Sequence, residues 1–371
     1  MPSFRHYLLN ADALRACRGI LNDADRDFLR QEAESALQRG PFTVARRDKP
    51  QVPGAGCNDY VSLGSYWWPD PNTADGLPYI RRDGELNPDY DRYDRKQLEA
   101  MQSTVKLLAL AWWHLNDERY AEHAVLLLHT WYRNPATAMT PHLRFGQGIP
   151  GICHGRCIGI IDTHDQIWML EYLPLLLDAR CWDPALGDTI RVWFGSYVTW
   201  LREDPLGQEE AATKNNHGSW YDAQVVHFAS LAGNDDLARS VLEQVGERRI
   251  LSQIETDGRQ PHELARTLSR NYTMMNLTAL SMLAKHAQRF DIDLWTLHSA
   301  SSGGLAAAFS WLAPYADGST AWPYQQISPF RHGVHALLTW RWADQAYGTT
   351  TETTLHAQCD SQVIQHLRLL G

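Results

Sequence analysis

The sequence predicts an all-α fold, an (α/α) toroid or barrel of about six to seven helical hairpins. Helical periodicity begins at Asp94, the predicted N-cap, after which apolar residues recur at steps of three and four, as at Leu98, Met101, Val105 and Leu108. Segments with the alternating pattern of strands are nearly absent. Short links rich in Gly, Pro and Asn separate the helical stretches, so neighbouring helices are expected to pack as antiparallel hairpins.

Further helices follow one another along the chain. They are predicted near 119–132, 160–179, 187–202, 218–232, 235–255, 270–289, 302–313, 332–347 and 353–368, with one or two more before residue 40. Two long segments, 41–93 and 203–219, interrupt this succession. Long irregular segments in compact domains are usually functional, so we expect both to line one mouth of the toroid, with the aromatic-rich 41–93 loop over the cleft. No repeat or linker divides the chain, which predicts a single domain over residues 1–371.

The composition argues against several classes of protein. Lys and Arg number 34 and Asp and Glu 43, giving a net charge of −9 with no long basic run, so nucleic acid is not an expected partner. No apolar run reaches the roughly 18 residues of a membrane helix, and the N-terminus lacks a signal-peptide pattern. We therefore expect a soluble protein with no membrane partner, cytoplasmic unless a removed leader directed it to the periplasm or out of the cell.

Tryptophan is unusually frequent, with 15 residues, and its flat apolar face suits stacking on sugar rings as well as core packing. A carbohydrate site is therefore expected. The six cysteines are spread irregularly, as is typical of free thiols. Cys153 and Cys157 lack a second pair of ligands, and His332 and His335 lack a third ligand, so no metal site is predicted.

The 41–93 segment carries candidate sugar-binding residues. Tyr66, Trp67 and Trp68 could stack on sugar rings, while Arg81 and Arg82 could bind carboxylates of an acidic polysaccharide. The alternative is a hydrophobic plug beneath a long loop.

The run KNNHGSWY from Lys214 to Tyr221 is a second candidate. Asn215, Asn216 and His217 precede a predicted helix, whose free N–H groups and positive end favour an anion. The alternative is an Asn-rich helix cap with a surface histidine.

The segment 261–272 is a third candidate. Arg266 and Tyr272 are too far apart for neighbours on one helix turn, but a loop-to-helix bend could bring them into one cleft. An arginine beside a phenol favours the phenolate and would make Tyr272 useful as a base. The alternative pairs Arg266 with Glu263 and buries Tyr272 in the core.

These segments together resemble the alginate lyase superfamily of polysaccharide lyases, whose members have α/α-barrel folds. The resemblance lies in NNHGSWYDAQ, in ELARTLSRNY about forty residues later, and in YWWPDP, DGLPYIRRDGELNP and GIIDT before them. Within the superfamily the chain is most similar to polysaccharide lyase family 38, which acts on glucuronan and alginate. The resemblance places the family's Asn-His pair on Asn216 and His217, its arginine on Arg266 and its catalytic tyrosine on Tyr272.

The implied reaction is β-elimination from a β-1,4-linked polyuronate without a metal or organic cofactor. The C5 proton is weakly acidic, so Asn216, His217 and Arg266 would neutralise the carboxylate and stabilise the enolate-like intermediate. In mannuronate and glucuronate the C5 proton and the leaving oxygen share one face, so Tyr272 could act as both base and acid. His217 is the rival base, and the anti geometry of guluronate would require His217 as base with Tyr272 as acid.

Two other functions compete with this one. A glycoside hydrolase acting on uronides would need a pair of carboxylates, for which Asp162, Asp165 and Asp222 are available. A non-catalytic sugar-binding protein would need only the aromatic loop. The expected ligand in every case is a polysaccharide or oligosaccharide, and the full set of expected substrate-binding residues is Tyr66, Trp67, Trp68, Arg81, Arg82, Lys214, Asn215, Trp220, His262 and Arg270.

Overall fold

A computed structural model describes residues 4–371, and helices dominate it. The α-helices are α1 (Ala11–Cys17), α2 (Asp23–Ala36), α3 (Asp94–Leu115), α4 (Glu118–Tyr132), α5 (Gln166–Tyr172), α6 (Pro184–Glu203), α7 (Pro205–Ala211), α8 (Asn216–Leu231), α9 (Asp235–Val245), α10 (Leu251–Gln253), α11 (Pro261–Leu264), α12 (Ser269–Ala287), α13 (Gly304–Ala316), α14 (Val334–Tyr347), α15 (Thr351–Leu355) and α16 (Ser361–Arg368). Four short strands are β1 (Val61–Leu63), β2 (Trp67–Trp68), β3 (Ile80–Arg81) and β4 (Phe145–Gly148).

Most predicted helices are present, but three predicted segments differ from the sequence expectation. The 160–179 segment contains two short 3₁₀ helices flanking α5, and the second one accommodates Pro174, which cannot donate a helical hydrogen bond. A π-helical turn, Gly246–Ile250, separates α9 from α10. The 203–219 segment, predicted to be irregular, contains α7, which begins with a proline at its first position, where no N–H is needed.

The prediction that Asp94 caps α3 is wrong. Asp94 is the first residue of the helix and is fully buried. One carboxylate oxygen accepts from the backbone N–H of Val61 at 3.0 Å and lies 3.4 Å from the Lys49 ammonium. Asp94 therefore ties the start of α3 to β1, because a buried carboxylate requires hydrogen-bond donors and a counter-charge.

The first of two compact units comprises Met1–Glu210 with Leu231–Gly233. Within it α3 packs against α2, α4 and α5, and residues such as Leu98, Met101 and Val105 are completely buried on α3. Strand β1 pairs in parallel with β4, and β2 pairs antiparallel with β3. This unit carries the aromatic segment that follows β1.

The second unit comprises Ala211–Ser230 with Asn234–Gly371. Its central helix is α12, which contacts α9, α11, α13 and α14 and is apolar on several faces, as expected for a helix surrounded by others. The unit carries both the 214–221 and the 261–272 candidates. A single domain over residues 1–371 and a loop over the cleft stay predictions. No helix in the described part of the chain is long and apolar enough to cross a membrane.

Candidate active site

The Asn-His pair lies at the first turn of α8, within the second unit. The side-chain oxygen of Asn215 accepts from the backbone N–H of His217 at 3.2 Å, the bond of an N-cap residue. Asn216 is fully buried, and His217 is almost so. The expectation of a surface histidine on an Asn-rich cap is therefore half right, since Asn215 is the cap but the next two residues face inward.

Glu263 on α11 holds Asn216 in place. Its carboxylate accepts from the backbone N–H and from the side-chain Nδ2 of Asn216, each at 2.7 Å. An acidic group at a helix N-terminus is stabilised by the free N–H groups and the helix dipole. Burial raises the pKa of Glu263, while the two donors of Asn216 and the charges of His217 and Arg266 act in the opposite direction. Glu263, on the 261–272 segment, is therefore close enough to interact electrostatically with both His217 and Arg266.

The Asn216 carboxamide keeps unused hydrogen-bonding capacity. Its Nδ2 carries two N–H donors, of which one is given to Glu263. Its Oδ1 is buried and has no hydrogen-bond partner among the described residues. An unsatisfied buried polar atom is costly, which makes it a marker for a ligand that supplies the missing bond.

Arg266 and Tyr272 meet directly. The guanidinium carbon of Arg266 lies 3.8 Å from the centroid of the Tyr272 ring, a close cation–π contact. Arg266 follows α11, and its backbone N–H donates to the Glu263 carbonyl at 3.1 Å, while Tyr272 is in the first turn of α12. The bend between the two helices therefore brings these residues together, as the sequence suggested. The carboxylate of Glu263, the acid that the sequence offered as a partner of Arg266, binds Asn216 and also lies within reach of the charge of Arg266.

A buried polar network connects α8 with α12 beneath these residues. Gln253 Nε2 donates to Ser219 Oγ at 3.1 Å, and Asn276 Nδ2 donates to the side-chain oxygens of Gln253 at 3.0 Å and Gln260 at 2.8 Å. Asn276 lies one helical turn after Tyr272, and Ser219 lies one turn after Asn216. Buried side-chain networks of this kind fix the relative position of the helices that carry them.

Two arginines, Arg248 and Arg249, bind α8 and the segment just before it, and we call this set of contacts the arginine clip. Arg249, in the π-helical turn, donates to Asp222 on α8 at 2.7 Å and to the backbone carbonyls of Thr213 at 2.6 Å and Ala211 at 2.7 Å. Arg248 also donates to Asp222. A Cβ on Gly218 would lie 2.2 Å from the guanidinium of Arg249, so only glycine fits there. The clip holds the turn before Asn216 against the helix.

Two of the acids that a glycoside hydrolase could use, Asp162 and Asp222, are buried, and both accept hydrogen bonds from other side chains of the protein. Asp222 carries the arginine clip. Asp162, in the first unit, accepts from Ser62 Oγ at 2.6 Å, Gln147 Nε2 at 2.8 Å and Tyr60 OH at 3.1 Å. Their oxygens are therefore used by donors of the protein itself, which gives the hydrolase alternative no support.

The remaining expected residues of the second unit differ in their exposure and contacts. Lys214 and His262 are exposed, and Asn215 is half-buried. Trp220 is 2% exposed, so its ring presents almost no face to a sugar and its expected substrate contact gains no support. Arg270 donates to the carbonyls of Tyr315 at 2.6 Å and Ala316 at 3.0 Å, which directs its guanidinium toward α13.

The expected aromatic residues of the first unit are half-buried. Trp67 pairs with Arg81 across β2 and β3, and the guanidinium of Arg82 lies 5.0 Å from the centroid of the Trp68 ring. Arg82 donates its backbone N–H to the Tyr66 carbonyl at 2.8 Å. Trp67, Trp68 and Arg81 thus lie on one small antiparallel sheet, and Arg82 follows its second strand. None of the three aromatic rings is fully buried as a plug would be.

Sequence reasoning missed Glu263 as the partner of Asn216, and it missed Arg249. The only signal for Glu263 was its spacing from Arg266, and that spacing does not point to Asn216, 47 residues away in the chain. Nothing marked Arg249, because its partners, the Asp222 carboxylate and two backbone carbonyls, lie far from it along the chain. Within residues 4–371 no group of three or more His, Cys, Asp or Glu side chains could hold a metal ion, and the six cysteines are free thiols.

Comparisons with known proteins place the chain in a family. A family model described as alginate lyase matches residues 43–322. An alginate lyase from Bacteroides ovatus is 33% identical, with a TM-score of 0.92 over 99% of this chain and 99% of its own. Alginate lyase A1-III from Sphingomonas species A1 is 17% identical, with a TM-score of 0.56 over 89% of this chain and 87% of its own. A1-III complexed with a tetrasaccharide gives 15% identity and a TM-score of 0.53 over 89% and 91%.

A search of curated proteins gave no match. The structural matches confirm the all-α fold class predicted from the sequence.

Proposed function

Because the chain belongs to the alginate lyase family, it is a polysaccharide lyase, and we propose that it cleaves β-1,4-linked polyuronates, glucuronan or mannuronate-rich alginate, by β-elimination at the Asn216, His217, Arg266 and Tyr272 site. The observation that carries this proposal is the contact between Arg266 and Tyr272, with Glu263 joining them to the Asn-His pair. A base beside a guanidinium suits a reaction that builds negative charge next to a carboxylate.

The proposed carboxylate pocket uses the donors left over after the structural bonds. Arg266 supplies the positive charge, and Asn216 supplies its second N–H, while His217 lies next to it on the same helix turn. Neutralising the carboxylate lets electron density from C5 move toward it, which lowers the cost of removing the C5 proton. In this proposal the unpartnered Oδ1 of Asn216 accepts a hydrogen bond from a hydroxyl group of the bound sugar.

Tyr272 is the proposed base and acid. As the phenolate it takes the C5 proton, the electron pair forms the double bond between C4 and C5, and the C4–O bond breaks. The protonated Tyr272 then returns a proton to the leaving oxygen, so the enzyme ends in its starting state. One residue suffices because the proton and the leaving oxygen lie on the same face in glucuronate and mannuronate.

The test is a panel of glucuronan, polymannuronate and polyguluronate, followed by the absorbance of the unsaturated product. We expect turnover on the first two. Tyr272→Phe should reduce it to background, since it deletes the hydroxyl and keeps the ring that Arg266 contacts. Tyr347→Phe is the matched control, because it removes a half-buried hydroxyl bonded to the Trp295 carbonyl in the same unit. Reducing sugar formed without new absorbance would contradict the proposal.

A further inference from the structure

Arg156 is rigidly held in the first unit and has no assigned role. Its backbone N–H donates to the Gly146 carbonyl at 3.1 Å. Its Nε and Nη2 donate to the backbone carbonyl and side-chain Oε1 of Gln147, each at 3.0 Å. The guanidinium lies 5.9 Å from the centroid of the Trp67 ring. A half-exposed arginine anchored at both ends has already lost the side-chain entropy that ligand binding would otherwise cost.

The residue that anchors Arg156 is strained. Gln147 has a φ of 48°, in the left-handed region that favours glycine, yet it is buried. Its backbone N–H donates to Ser62 Oγ at 2.7 Å, and its Nε2 donates to Asp162 at 2.8 Å. Strain of this kind persists where the surrounding bonds over-determine it, and it concentrates at functional sites. Here the strained backbone turns the Gln147 side chain so that Oε1 and the main-chain carbonyl both face Arg156.

The charge of Arg156 is not neutralised by a carboxylate. Its two acceptors on Gln147 are neutral, and no ion pair joins it to an Asp or Glu within the described part of the chain. The carboxylate behind Gln147, Asp162, forms its ion pair with Arg95 at 3.5 Å, and its charge acts on Arg156 only through space. Arg156 therefore keeps the capacity to bind an anion in a charge-assisted hydrogen bond.

An aromatic face and a second arginine accompany Arg156. A Cβ on Gly64 would lie 2.7 Å from the Trp67 ring and 3.2 Å from Arg156 Nη2, so the indole and the guanidinium converge on one glycine. Arg81, the strand partner of Trp67, is close enough for its charge to act on Arg156. Arg81 also forms an ion pair with Asp83 at 2.6 Å, which leaves Arg156 as the less compensated of the two.

We propose that Arg156 and Trp67 form a binding subsite for one uronate residue of the polysaccharide, with the guanidinium on its carboxylate and the indole face against its ring. Gln147 acts as the positioning residue of this subsite. The inference rests on the proposed polyuronate substrate. An acidic sugar is the ligand class that matches both parts, since a neutral sugar would use only the indole and a small anion only the arginine.

The experiment measures binding apart from catalysis. In the Tyr272→Phe background, calorimetry gives the Kd for a glucuronate tetrasaccharide and for an uncharged cello-oligosaccharide of equal length. Arg156→Met should weaken binding of the acidic sugar about tenfold and leave that of the neutral sugar unchanged. Arg144→Met is the matched control, because Arg144 is an exposed arginine just before β4, ion-paired with Asp204 at 3.1 Å, and its loss should change neither Kd by more than about twofold.

A second variant covers the case in which Arg156→Met does not fold. Gln147→Gly suits the positive φ but removes the side-chain acceptor of Arg156, so we expect a folded protein with an affinity reduced several-fold. Equal Kd values for Arg156→Met, Gln147→Gly and Arg144→Met would overturn the inference. If the wild type binds uronate through Arg156 but releases no unsaturated product, the proposed function fails and the subsite stands. Full lyase activity together with a Kd that does not depend on Arg156 would overturn the subsite and leave the proposed function standing.

Discussion

The guanidinium of Arg266 lies 3.8 Å from the ring centroid of Tyr272, so a fixed positive charge covers the face of the proposed base. The two residues belong to different helical elements, and Glu263 ties the first of them to the Asn-His pair on α8. The proposed mechanism gives these side chains separate tasks, and each task can be tested.

The first prediction separates the two candidate bases. On glucuronan and polymannuronate, His217→Ala should keep a small measurable rate, because Arg266 and Asn216 still contact the carboxylate, whereas Tyr272→Phe should keep none. On guluronate blocks, any activity should vanish with His217. Initial rates of both variants on the three polymers show which of the two residues is the base. Substantial activity in Tyr272→Phe together with its loss in His217→Ala would exchange the two roles.

The second prediction concerns Glu263 as the residue that positions Asn216. Glu263→Gln replaces one of two acceptors by a donor that faces the Asn216 donors, so the carboxamide should move. Misplacement of this order can cost about 10²-fold in rate, so kcat should fall far more than KM rises. Steady-state kinetics test this split. Glu255→Gln, on an exposed acid of the same unit, is the control, and equal kinetics for the two variants would remove Glu263 from the site.

The third prediction concerns the arginine clip before α8. Arg249→Met leaves the Asp222 carboxylate buried with Arg248 as its remaining charged partner and frees two backbone carbonyls. Breaking a buried pair typically costs about 3–5 kcal/mol in the free energy of unfolding. Urea denaturation of Arg249→Met, Asp222→Asn and the double variant gives the coupling energy. The double variant should lose less than the sum of the single losses, and strict additivity would show that the pair is not coupled.

The fourth prediction is a pH dependence of stability. Burial, helped by the charge of Arg289, lowers the pKa of His227 to about 3, and His227 lies 3.1 Å from His286. Between pH 6.5 and about 3 the unfolded chain therefore binds a proton at this residue that the folded chain does not. Stability should fall as the pH drops through this window, at up to about 1.4 kcal/mol per pH unit from this residue.

His227→Gln should remove that contribution and flatten the slope of unfolding free energy against pH. The exposed His298 provides the control variant, His298→Gln, which should retain the wild-type slope. Urea titrations at several pH values measure both slopes. A His227→Gln protein with the full wild-type slope would show that His227 does not titrate as described.

Local patterns in the chain were enough to place the helices and the candidate segments. Apolar spacing is a local property, so the long helices α3, α6 and α12 follow from the residues they contain. The 214–221 and 261–272 segments stood out because amides, histidine, arginine and tyrosine occur where helices begin. The family resemblance carried by these segments indicated a polysaccharide lyase, and the matched family confirms that class.

The choice of partners among the charged groups depended on the packing of the elements. Sequence spacing offered Tyr272 or Glu263 as neighbours of Arg266, but it gave no sign of the bonds between Glu263 and Asn216, which lie 47 residues apart in the chain. Asp94 likewise serves β1 rather than its own helix cap. A buried charge must find whatever donors the packed elements bring to it, and those donors come from distant parts of the chain. Their identity therefore cannot be read from local spacing.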